Sequence, residues 1–167
     1  MTVDEFLLNS DALRGIYGHV PRIGEAIRVR SFNINWRGPT LIIRADLPEF
    51  PEAPPQEWQA AGLDTVQCHL QFLAVEDLSI REWHPPAVCR VTAVHGEEVK
   101  RLHIGFHGDG LELEFRCSDS VLVGHISAFR AGVDGSDVGP HSFVSRIDTR
   151  RHVSLPETWE RTYYGRI

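Results

Sequence analysis

The residues in this chain that could do chemistry are nine histidines, a handful of serines and a few same-face acids. His103 and His107 have the spacing of a helical metal-binding pair, but Leu102, Ile104 and Phe106 alternate with them and predict a strand. On a strand, positions i and i+4 stand about 13 Å apart, too far to share one ion. His95 and His107 fall at opposite ends of one predicted strand, and His84 precedes two prolines with no partner in sequence. The DGSD at 134–137 has the opening of a calcium loop but neither its later oxygen ligands nor its closing Glu, so it reads as a turn.

Nucleophilic chemistry finds no better support. Ser118, Ser120 and Ser127 lack the G-x-S-x-G turn that exposes a catalytic serine. His125 shares its parity with Val123 and Phe129 and reads as a core residue. Glu112 and Glu114 lie on one face, as glycosidase carboxylates do, yet their alternation with Leu111, Leu113 and Phe115 marks a solvent face. HGDG at 107–110 lacks the following helix and Lys of a phosphate loop. The sequence predicts no enzyme, no metal and no cofactor. The three cysteines, Cys68, Cys89 and Cys117, sit in apolar alternation at no zinc spacing and read as reduced core residues.

Charge is more informative. The net charge is −6, and no Lys or Arg occurs between Arg44 and Arg81, where Asp46, Glu49, Glu52, Glu57, Asp64, Glu76 and Asp77 fall. Arg146, Arg150, Arg151, Arg161 and Arg166 tilt the end of the chain the other way. A nucleic-acid partner needs a basic face and is not expected. An acidic face suits a basic protein partner, although acids so placed can also form a plain solvated rim. With 42% hydrophobic residues, no membrane-length apolar run and no signal-peptide pattern at the N-terminus, a cytoplasmic protein is expected.

The elements that must position these residues are mostly strands. Thr65–Trp83 is the longest apolar run free of Gly and Pro, and reads as the central strand or a bent strand pair. Before it come helical spacing over 3–17, a strand from Glu25 to Trp36 with a bulge near Arg30–Ser31, and an antiparallel strand from Leu41 to Leu47. PEFPEAPPQEW at 48–58 cannot join a ladder and reads as a rigid loop, with Phe50 and Trp58 anchored on the core edge. After a break at His84-Pro85-Pro86, three strands follow (Ala87–Val94, Val99–Phe106 and Leu111–Cys117), joined by turns at HGEE and HGDG. Val121–Arg130 is a further strand, 131–140 a flexible Gly- and Asp-rich loop, and Ser142–Ile147 a short edge strand open to self-association. Ser154, Pro156 and Glu157 signal a last helix. The expectation is one domain over 1–167, mainly β: a curved antiparallel sheet or two-sheet sandwich of eight or nine strands with a short N-terminal helix.

Read together, DALRGIYGHVP, NINWRGPTLIIRADLPEFP, EWQAAGLDTVQCHLQFLAVEDLSIREW and SDSVLVGHISAFRA resemble the immunity protein 50 family of bacterial polymorphic toxin systems, from about residue 10 to about 130. The stretch from Asp134 to Ile167 is not carried by that resemblance. The resemblance implies a non-enzymatic, predominantly β, cytoplasmic protein that neutralises a cognate toxin, and it brings no set of site residues. The expected toxin-binding surface is therefore argued from charge and stiffness: Asp46, Glu49, Phe50, Glu52, Glu57 and Trp58 around the proline-rich loop, supported by Asp64, Glu76 and Asp77. For Phe50 and Trp58, packing at the core edge competes with toxin contact. A different reading is a small-molecule or carbohydrate-binding sandwich with Trp36, His103, Tyr163 or Tyr164 as platforms around a concave pocket.

Overall fold

A computed structural model of the chain describes residues 1–145. The signals at Ser154, Pro156 and Glu157, the aromatics Tyr163 and Tyr164, and the end of the strand expected at Ser142–Ile147 lie outside the described residues.

Residues 3–17 form two short helical pieces, a 3-10 turn at Val3–Phe6 and α1 at Asp11–Tyr17. Leu13 and Ile16 are buried on one face of α1, and Gly18 ends it with φ at 78°, a left-handed conformation that costs glycine little. Strands β1 (Ile27–Asn35) and β2 (Thr40–Asp46) pair antiparallel, and the ladder slips between Val29 and Ser31, where the parity change predicts a bulge. The proline-rich loop runs into a short α2 (Gln56–Ala60), which the sequence reading did not foresee. Pro55 starts it, its carbonyl accepting the Trp58 and Gln59 N–H groups. Then come β3 (Thr65–Phe72), β4 (Glu76–His95), β5 (Arg101–Ser118), β6 (Val121–Phe129) and β7 (Ser142–Phe143).

All described strands join one antiparallel sheet of seven, in the order β5-β4-β1-β2-β3-β6-β7. The count is lower than eight or nine because two expected breaks are not breaks. His84-Pro85-Pro86 lies inside β4 and HGDG inside β5, and they face each other at one irregularity, where the register jumps from Trp83↔Leu111 to Val88↔Asp109. Prolines are tolerated in a sheet at such bulges. Gly108 serves close approach: a Cβ there would lie 2.3 Å from the Val88 carbonyl oxygen. The Thr65–Trp83 run does not form one central strand either. It breaks at 73–75 into β3 and β4, which are separated in the sheet by β1 and β2.

The sheet curls on itself. β3 and β5 lie four strands apart, about 19 Å in a flat sheet. Yet the Phe72 and Phe115 rings meet at 5.1 Å, and Ser118 N–H reaches the Leu73 carbonyl at 2.9 Å. The enclosed core contains Ile43, Leu70, Phe72, Phe106, Leu113 and Phe115, all fully buried. The N-terminal segment crosses to two distant strands: Met1 accepts from Ala93 N–H, and Leu8 N–H donates to Val121. Asn9 imitates a strand residue, its side-chain amide donating to the Val123 carbonyl at 2.7 Å and accepting from its N–H at 2.8 Å. All three cysteines are buried free thiols, and burial pushes each up to about 12, with Asp46 adding to the effect at Cys68.

Candidate functional site

Across the outer face at one end of the sheet, register pairing lines up one polar residue from each of four strands. Arg28 stands opposite Asp46, Asp46 opposite Gln67, and Gln67 opposite Ser127. Arg30, displaced by the bulge, closes on Asp46 with Nη2 to Oδ2 at 2.6 Å and Nε between the two carboxylate oxygens at 3.1 Å. Gln67 gives its amide to Asp46 at 2.6 Å. The pair is buried, with side-chain exposures of 7% and 5%, so the carboxylate needs these donors.

The loop at 131–141 returns over this row and completes it. Gly135 offers its carbonyl to Arg28 and Arg30, Asp137 accepts from Gln67 at 3.0 Å, and His141 lies between Asp137 and Ser127 at 2.7 Å on each side. His141 bridges its two neighbours if it carries its proton on Nε2, toward Asp137, and accepts the Ser127 hydroxyl at Nδ1; the Gln67 side-chain carbonyl oxygen is left buried without a partner among the described residues. Phe129 stacks on the His141 ring at 4.7 Å. Burial raises the Asp137 carboxyl, but His141, Gln67 and Arg30 outweigh it and hold the group below the ordinary value of 3.8.

Ser127, His141 and Asp137 have the residue types of a hydrolase triad, and the arrangement does not work as one. Ser127 and the His141 side chain are both 0% exposed, so no substrate carbonyl reaches Oγ. His125, the base considered from sequence, is buried and packs edge-on against His69 at 5.0 Å. The network locks a loop in place. Sequence reasoning missed it because Gln67 looks like an ordinary outward position and Ser127 like an isolated serine among apolar residues until the register sets them in one row with Asp46 and the loop folds back.

The residues expected to meet a partner divide into three groups. Glu49, Glu52 and Glu57 are exposed, and none forms an ion pair among the described residues. Asp46 and Trp58 are buried (4% and 2% exposed), so both are scaffold: Asp46 neutralises Arg30, and Trp58 anchors α2 with Phe50 tilted against it at 6.1 Å. Asp64 is exposed but engaged, holding Ala131 N–H and the Thr65 hydroxyl. Glu76 and Asp77 lie at the other end of β3, about 25 Å away by strand rise, in a surface cluster with Arg101 and Arg116.

Two clefts adjoin the proline-rich loop. One, of about 610 Å³, lies between α1, α2 and β7 and is lined by Ile16, Trp58, Phe143 and Val144 with Glu57 at its wall. The other, about 280 Å³, is lined by Arg28, Asp46, Pro48 and Asp64 among others. Trp36 is 80% exposed on the β1–β2 hairpin, and His103 is exposed on β5; neither lines these clefts. Glu112 and Glu114 flank His107 on the outer face of β5, at 2.8 and 3.8 Å. Among the described residues no group of three or more His, Cys, Asp or Glu could hold a metal, and no helix is long and apolar enough to cross a membrane.

No curated protein and no solved structure shows significant similarity to the chain. The sequence model of immunity protein 50 matches residues 9–127, well over half of its length and most of the curled sheet. The chain belongs to the immunity protein 50 family.

Proposed function

We propose that the protein binds and neutralises a cognate bacterial toxin, without enzymatic activity, through an acidic surface centred on the proline-rich loop. Family membership carries this reading. Support for the location comes from Glu49, Glu52 and Glu57, exposed carboxylates without ion-pair partners among the described residues, on a backbone stiffened by Pro48, Pro51, Pro54 and Pro55. A stiff loop loses little entropy on docking, and its uniform charge speeds encounter with a basic toxin. We infer a cytoplasmic site of action from the family resemblance alone.

The test is capture of the partner from the producing bacterium with this protein as bait, followed by co-expression of the captured protein with and without the bait. A stoichiometric basic protein that stops growth alone and not in company is the expected result. A captured protein that is harmless alone, or equally toxic in company, overturns the reading. Once the toxin is in hand, Glu49→Lys, Glu52→Lys and Glu57→Lys combined should leave melting unchanged within about 2 °C and weaken binding at least about tenfold. Unaltered affinity in that variant removes the loop from the interface.

The 610 Å³ cleft favours a second reading, a small-molecule-binding domain, since it has the volume and apolar lining of ligand sites. A thermal-shift screen of sugars and metabolites separates the two: saturable stabilisation that Ile16→Trp abolishes supports the ligand reading.

A further inference from the structure

The geometry points to the loop at 131–141 as a pre-shaped docking element that widens the toxin-binding face, with Val133 and Val138 as its contact residues. This inference rests on the immunity reading and adds a surface which that reading does not contain.

The sequence AGVDGSDVGPH predicts a flexible loop, and the structure fastens it at almost every step. Ala131 N–H is held by Asp64, Gly132 N–H by the Ser136 carbonyl, and Ser136 N–H by Asp134. Gly135 has φ at 78°, and a Cβ there would lie 2.3 Å from the Arg28 guanidinium that grips its carbonyl. Asp137 and His141 bind the buried polar row from above.

A loop that served only as a cover would turn its apolar side chains inward. This one does the reverse. Its inward contacts are a carbonyl, a carboxylate and an imidazole, while Val133 and Val138 are 112% and 85% exposed, two of the four most exposed large hydrophobic residues described. Isolated exposed valines are common. Two on one short loop, fixed by hydrogen bonds at Ala131, Gly132, Gly135, Ser136, Asp137 and His141, are apolar contacts held ready, and such pre-ordering reduces the entropy lost on binding.

Position and charge identify the occupant. Asp64 and Arg28 tie the loop to the wall of the 280 Å³ cleft, whose lining also includes Pro48 at the start of the proline-rich loop. Asp134, next in sequence to Val133, is exposed, as is Asp64, which holds the first residue of the loop. The matching surface on a basic toxin is an apolar spot ringed by Lys or Arg. The loop also lies beyond the family match at 9–127, whereas Arg28, Arg30, Asp46, Gln67 and Ser127, which hold it, lie within that match.

Two measurements test this. Hydrogen exchange on the free protein should show the Gly132, Gly135 and Ser136 amides slowed at least about tenfold relative to an unstructured peptide, and Asp137→Ala should abolish the slowing. Unprotected amides in the unaltered protein overturn the pre-shaping. Binding kinetics with the captured toxin should show Val133→Ser with Val138→Ser weakening affinity at least about tenfold through faster dissociation, at unchanged melting temperature. Asp137→Ala should instead slow association. Full affinity in the valine variant, alongside loss in the Glu49, Glu52, Glu57 variant, overturns this inference while leaving the immunity reading intact.

Discussion

Two loops border the same end of the sheet and are held still by opposite means. The 48–55 loop is stiff by covalent structure: four prolines restrict φ, and Phe50 and Trp58 pin its far side to the core. The 131–141 loop has a composition that favours freedom and is stilled by partners from three strands, β1, β3 and β6. Stiffness of the first kind is spread over many residues and already present in the unfolded chain. Stiffness of the second kind exists only in the folded protein and depends on each member of a buried chain of hydrogen bonds.

Substitutions should expose that difference. The largest effect is expected from Asp46→Ala, which strands the buried Arg30 charge and removes the acceptor for Gln67. About 3–5 kcal/mol of stability should be lost, a fall in melting temperature of roughly 10 °C or more. Removing two prolines, Pro48→Ala with Pro54→Ala, should cost only about 1–2 kcal/mol, mainly by enlarging the unfolded ensemble. A larger loss for the proline pair than for Asp46→Ala would erase the distinction. Acid gives the smallest and most selective test. The folded Asp137 carboxyl lies below its ordinary 3.8, so its stabilisation is present above that value and lost as pH falls through the depressed one. As the pH falls below 3.8 through that depressed value, the Gly132 and Ser136 amides should lose protection while the Trp58 indole signal in NMR holds its position.

The same contrast explains what could be read from the sequence. Proline-rich stiffness, the β1 bulge, the two N-terminal helical pieces and the buried cysteines are local properties, and each is legible in alternation or residue type. The anchoring of Trp58 on the core edge, one of the two roles expected of it, agrees with its burial. The joining of His84-Pro85-Pro86 and HGDG into continuous strands was not legible, because each reads as a break until the opposite strand supplies a matching irregularity. The Asp46 network was hidden for the same reason. Asp46 counted as an exposed acid in a run of acids, and only pairing with Arg28 and Gln67, together with a loop about ninety residues later in the chain, makes it a buried anchor.

Asn9 carries a consequence for the order in which the molecule is made. Its amide completes the edge of β6 across a separation of 114 residues. At about 5–20 residues per second, the ribosome delivers Val123 roughly 6–20 seconds after Asn9. During that interval the N-terminal segment has no partner for these bonds, and the open edge of β6 is the last part of the curl to be sealed. Contacts this remote in sequence form late and slow the final closure. The nascent chain therefore spends its most exposed moments with the sheet nearly complete and residues 7–9 still waiting for β6, which is when a chaperone would have most to hold.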